Sequence, residues 1–193
     1  MAILGCVIFA VSILIADFVV PDHDWIADTI SDLGAGRYEF IVDIGIYAFS
    51  AALIACALLC AHLHQGQRKW SAGIIGLAGL GLIVFLVGAR NEYGDHDTDG
   101  VVIHSYLVYA LGVLMLLVPW LLSYGLAHCA LGLAKTFKVL AVLWLLFAPP
   151  FFFLPTSIDG LYERGLGLIA MAMVILLGRF FMQQGRALAD EAG

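Results

Sequence analysis

His23, His96 and His104, with Asp32, Asp43, Asp95 and Asp99, are the residues of this chain whose types could do metal chemistry together. Neutral imidazoles and carboxylates are zinc ligands, and a zinc-bound water acidified towards neutrality could attack an ester or amide. The run Asp95-His96-Asp97-Thr98-Asp99 alternates carboxylates like the start of a calcium loop, but lacks that loop's later Gly and Glu positions. No tight ligand spacing such as His-Glu-x-x-His occurs. Serine chemistry is a second option: Ser31, Ser105 or Ser157 could approach His23 or His104, although no nucleophile-elbow pattern surrounds them. Haem is a third, since His62 or His64 could face His128 as an axial pair. Against it, His128 falls in a loop and no second well-placed histidine accompanies His104 within a span.

The carboxylates are unevenly distributed. Thirteen of the fifteen lie between Asp17 and Asp43, between Glu92 and Asp99, or at Asp159 and Glu163. Long apolar runs separate these segments. The 193 residues are 63% hydrophobic and 12% charged, with a mean hydropathy of +1.00. A soluble domain carries roughly twice that charged fraction. Several runs approach the ~20 residues that cross ~30 Å of hydrocarbon, and they lack the alternation of barrel strands. The fold class is therefore all-α: one transmembrane bundle of six helices spanning residues 1–193. A net charge of −6 argues against nucleic acid as a partner.

The spans are expected near 3–20, 41–63, 72–89, 102–124, 138–155 and 161–182. The first has no basic n-region, and Ala16-Asp17-Phe18 is a poor cleavage site, so it reads as a retained span and not a signal peptide. The even loops and tail hold six basic residues: Arg68, Lys69, Lys135, Lys138, Arg179 and Arg186. The odd loops hold three: Arg37, Arg90 and Arg164. Positive charge stays cytoplasmic, which puts both termini inside and the acidic loops outside. Trp70 and Trp120 suit the inner interface and Trp25 the outer one. Gly73, Gly76, Gly79 and Gly81 predict close helix packing by the third span. Pro149-Pro150 predicts a kink within the fifth. Cys6, Cys56, Cys60 and Cys129 fall in or beside apolar runs and read as small buried hydrophobes, without a disulfide framework.

That topology brings four segments to one rim. They carry Asp17 and His23 to Asp32; then Asp43, Tyr47 and Ser50, which share one helix face; then Arg90 and Asn91 through Asp99 to His104; and last Asp159, Glu163 and Arg164. The candidate pocket comprises Ser31, Asp32, Asp43, Tyr47, Arg90, Asn91, His104, Glu163 and Arg164. Candidate metal ligands are His23, His96, His104, Asp95 and Asp99. Arg90 and Arg164, with Arg37, can instead neutralise Asp17, Asp32, Asp43 or Glu163 as a charge network that locks the helix ends together. Thr29-Ile30-Ser31-Asp32-Leu33-Gly34 and Thr156-Ser157-Ile158-Asp159-Gly160 form a weak internal echo, each a short N-cap-like turn before a span.

Ile30-Ser31-Asp32-Leu33-Gly34, with Asn91–Asp99 before His104 and with Gly160-Leu161-Tyr162-Glu163-Arg164, resembles a family of six-helix prokaryotic membrane proteins of unknown function. The Ser-Asp-Leu-Gly turn is also similar to the Ile-Ser-Asp-x-Gly motif of DRAM-like membrane proteins. The resemblance implies a six-span bundle with its shared residues on the extracytoplasmic side of a cytoplasmic membrane. It implies no reaction. Three functions stay open. The first is a binding or accessory protein for a lipid headgroup, a cation or a partner subunit. The second is a metal-dependent hydrolase of outer-leaflet lipid, using zinc or calcium. The third is a cation or proton carrier, for which Asp17 and Asp43 lie close to span ends.

Overall fold

A computed structural model describes residues 1–34, 37–63, 66–89 and 103–192. Lipid offers no hydrogen bonds to the backbone, so apolar runs of this length satisfy their own amides as helices. Six helices are long and apolar enough to cross a membrane, and no strand occurs among the described residues. They are α1 (Ala2–Val19), α3 (Glu39–Leu63), α4 (Arg68–Ala89), α5 (Ile103–Leu126), α6 (Leu131–Phe147, continued by a 3₁₀ turn at Pro149–Phe153) and α7 (Asp159–Ala192). A one-turn helix, α2 (Ile30–Leu33), lies in the loop between α1 and α3.

The bundle is a ring. Chain neighbours pack in order, α1 on α3, α3 on α4, α4 on α5 and α5 on α6, and α7 closes the circle against α6 and α1. Small residues set the approach: a Cβ on Gly5 would fall on the Ala48 carbonyl, and one on Gly73 would lie 2.8 Å from Leu122. Polar side chains tie neighbours together, with Ser50 Oγ donating to the Gly81 carbonyl at 2.7 Å and Trp70 Nε1 to that of Cys60 at 3.1 Å. α7 also touches α3, whereas α5 and α7, on either side of α6, do not approach closely among the described residues. That separation leaves space at the centre.

Several boundaries differ from the sequence expectation. α6 begins at Leu131, so Lys135 and Lys138 are helical residues and the preceding loop is short. Lys69 and Lys138 both lie over the Tyr124 ring, at 3.6 and 5.4 Å from its centroid. Pro149 and Pro150 do not kink an α-helix; they end it and open the 3₁₀ turn, where their missing N–H groups cost nothing. The proline inside a helix is Pro119 of α5, which the sequence reading did not single out. α7 continues well past residue 182, and its last turns from Met182 to Glu191 are exposed. Its 34 residues reach roughly 50 Å at ~1.5 Å per residue, longer than the hydrocarbon core, so its end projects beyond it.

Candidate functional site

The acidic end of the bundle is organised around Arg164 on α7. Its Nη2 donates to Asp17 Oδ1 on α1 at 2.6 Å, and its Nη1 donates to the carbonyls of Asp28 and Gly160 at 2.9 and 3.0 Å. His23 completes the cluster. Its Nε2 lies 3.1 Å from Asp17 Oδ1 and 3.2 Å from Arg164 Nη2, and its Nδ1 lies 3.3 Å from Asp28 Oδ2. Asp22 turns the chain here in the left-handed region (φ 57°), which Asp tolerates better than most residues. The His23 side chain is only 3% exposed. Both of its ring nitrogens are engaged, and a guanidinium stands beside it. A cation would meet repulsion there, whereas an ion-pair lock fits. Arg164 and Asp17 thus form a pair of the kind the sequence suggested.

The loop from Asp24 to Asp32 is fixed from both sides. Asp28 Oδ2 accepts the Asp24 amide at 2.8 Å. Thr29 and Asp32 form a reciprocal capping box on α2, with Thr29 N–H to Asp32 Oδ2 at 2.7 Å and Asp32 N–H to Thr29 Oγ1 at 3.1 Å. Glu163 reaches across from α7 and accepts the Ile30 amide at 2.6 Å, so an α7 carboxylate satisfies the first orphan donor of α2. Gly160 lets α7 start against this loop: its amide donates to Ala27 O at 3.2 Å and that of Leu161 to Ile26 O at 2.9 Å.

Docking α2 over the ring brings Ser31 Oγ to 3.3 Å from Nε2 of buried His104, the second residue of α5. Below this contact lies an apolar cavity of about 180 Å³, faced by every spanning helix through residues such as Phe9, Phe49, Val84, Leu111, Trp144 and Leu166. Above it lies a polar mouth of about 370 Å³. Ser31, His104, Val108, Phe151, Phe152 and Glu163 line both. Four carboxylates, Asp28, Asp32, Asp159 and Glu163, line the mouth, and among the described residues no Lys or Arg does. Asp159 Oδ1 is buried without a hydrogen-bond partner among the described residues.

Ser31, Asp32, His104 and Glu163 of the sequence-derived pocket therefore meet at one mouth. Asp43 and Tyr47 do not line it. Tyr47 donates to Gly88 O on α4 at 3.2 Å, and Asp43 Oδ1 is buried without a described partner. Arg164 lies beside the mouth, in the ion-pair cluster. Arg90, Asn91, Asp95, His96 and Asp99 fall outside the described residues. Among the described residues no group of three or more His, Cys, Asp or Glu side chains is gathered as a metal site. Asp28 and Asp159, which the sequence placed at this rim but not in the candidate pocket, also line the mouth, as do Phe151 and Phe152, which it did not single out; the aromatic pair follows the prolines that end α6, its one available signal.

Six apolar spanning helices in a ring, with a polar-mouthed cavity at one end, define an integral membrane protein in contact with the bilayer. The chain matches the family model described as protein of unknown function (DUF998) over residues 3–179, and it belongs to that family. No curated protein and no solved structure matches it.

Proposed function

We propose that this protein binds a membrane amphiphile, with a positively charged, hydrogen-bond-donating headgroup in the acidic mouth and an acyl chain in the apolar cavity. The observation that carries this reading is the shared lining: one set of side chains forms the floor of a polar space and the roof of an apolar one. Sites of about 300–1,000 Å³ with few polar groups over an apolar wall are the usual form for small amphiphilic ligands. Four carboxylates, with no Lys or Arg lining the mouth among the described residues, favour an ammonium over a free phosphate. The Ile-Ser-Asp-Leu-Gly turn, similar to the DRAM-like motif, contributes Ser31 and Asp32 to this mouth.

A second reading, cleavage of a bound lipid ester, draws on the Ser31–His104 contact, which pairs a nucleophile with a base. One experiment addresses both. Protein extracted gently from its membrane and analysed by native mass spectrometry should carry one lipid with an amine headgroup. Glu163→Gln, which keeps an acceptor for the Ile30 amide but removes the charge, should weaken lipid binding roughly 10- to 150-fold, as expected for losing a charged hydrogen bond of ~1.5–3 kcal/mol. Release of free fatty acid, abolished by Ser31→Ala, would favour the hydrolase. A bare divalent cation or a co-purifying subunit in place of lipid would overturn the amphiphile reading.

We place the protein in the cytoplasmic membrane of a prokaryote, with the mouth outside and both termini inside. The grouping of Arg68, Lys69, Lys135, Lys138, Arg179 and Arg186 away from the carboxylates supports that orientation. Cys129 tests it, because Cys6, Cys56 and Cys60 are buried and Cys129 is exposed, between α5 and α6. A membrane-impermeant maleimide should label it only after the membrane is permeabilised. Partial burial raises its thiol above the ordinary range, so labelling should speed up as pH rises. Rapid labelling of intact cells would mean the inverted topology.

A further inference from the structure

A third cavity, about 470 Å³, lies between α5 and the end of α6. Gly112, Trp144, Ala148 and Phe152 line both it and the central cavity, and Tyr109 and Phe152 line both it and the mouth. Its outer lip is Val113, Leu145 and Phe153, which are 57, 52 and 87% exposed in the isolated bundle. These are apolar residues on spanning helices, so the medium they meet is hydrocarbon.

The cause is local. The two prolines stop α6 at Phe147, so above that level α5 is faced by the rings of the 3₁₀ turn and not by a further turn of α6. Trp144 Nε1 donates to the Gly112 carbonyl at 2.9 Å and pins the helices at the base of the gap. Phe152 lies against Tyr109, ring centroids 5.1 Å apart, where groove, cavity and mouth meet. The groove runs along α5 from Tyr109 to Leu116, roughly 10 Å at ~1.5 Å per residue. Gly112 lies roughly 14 Å along α5 from its start at the acidic end, about the depth of one hydrocarbon leaflet.

We propose that the groove between α5 and α6 is a lateral portal, through which the acyl chain of a lipid in the adjacent leaflet slides into the central cavity while its headgroup moves into the acidic mouth. Phe152 is the partition that the chain displaces. This rests on the amphiphile reading above, and it adds where the ligand comes from: the bilayer, not the aqueous phase.

The test uses the full chain in vesicles and two amine-headgroup probes. One is a long-chain phosphatidylethanolamine with a diazirine on its acyl chain, mixed into the membrane. The other is a water-soluble short-chain analogue added outside. Val113→Trp with Leu145→Trp fills the groove from exposed positions that do not line the cavity. We expect long-chain labelling of cavity peptides to fall at least tenfold in this variant, with short-chain labelling unchanged. Phe152→Ala should instead speed long-chain labelling severalfold. Unchanged long-chain labelling in the filled variant, or equal loss of both probes, overturns the portal. Labelling of the wild type by neither probe overturns the amphiphile reading itself.

Discussion

Replacing Arg164 with methionine should destabilise the bundle by about 3–5 kcal/mol, the cost of leaving the partner of a buried ion pair uncompensated. For a chain of this length that corresponds to a fall on the order of 10 °C in the thermal midpoint in detergent. Asp17 and Arg164 are each only 14% exposed at 2.6 Å. The guanidinium also holds two carbonyls, so its loss frees the Asp24–Asp28 loop from the start of α7. Arg164→Lys keeps the charge but cannot fork to Asp17 and both carbonyls, and it should recover less than half of the loss. Asp17→Asn combined with Arg164→Met should be milder than the sum of the single changes, because neither charge is then stranded. A midpoint for Arg164→Met within a degree or two of wild type would remove the ion-pair lock from this account.

Gly160→Ala should have the second-largest effect. Its new Cβ would fall on the Asp28 carbonyl, with the Asp28 carbon and amide nitrogen next nearest, all of them backbone and unable to rotate aside. Overpacking of this kind costs about 1–3 kcal/mol. The loop must lift, and the amide bonds of Gly160 and Leu161 to Ala27 and Ile26 break with it. Asp28 then leaves the mouth, so lipid retention should fall together with stability. Gly165→Ala is the control. It lies on the same helix, a Cβ there meets nothing within 4 Å, and alanine favours a helix over glycine by ~1 kcal/mol, so this variant should be neutral or slightly stabilised. Equal melting and lipid retention in the two variants would show that the loop is not seated as described.

Much of this was legible in the chain. Apolar runs of spanning length have one solution for their backbone in lipid, so six helices follow from composition and periodicity alone. Alternating passage then brings Asp17, Ser31, Asp32, His104, Glu163 and Arg164 to one end. A buried arginine must also find a carboxylate, which foreshadowed Arg164 with Asp17. Asp43, Tyr47 and Ser50 illustrate the boundary of such reasoning. Their spacing fixes that they share a face, but not which neighbour that face meets, and Tyr47 and Ser50 bond to α4.

The sequence by itself determined the class of protein, the number of spans and the end at which its polar groups gather, because these depend only on the cost of polar groups in hydrocarbon. Tertiary structure decided which polar groups meet. It set Glu163 on the Ile30 amide and Ser31 beside His104, both across long stretches of chain. It also made the cavity, since α7 closes the ring against α1 and α6 and leaves α5 apart. Empty space is a property of how several helices stand relative to one another, and no local run of residues encodes it.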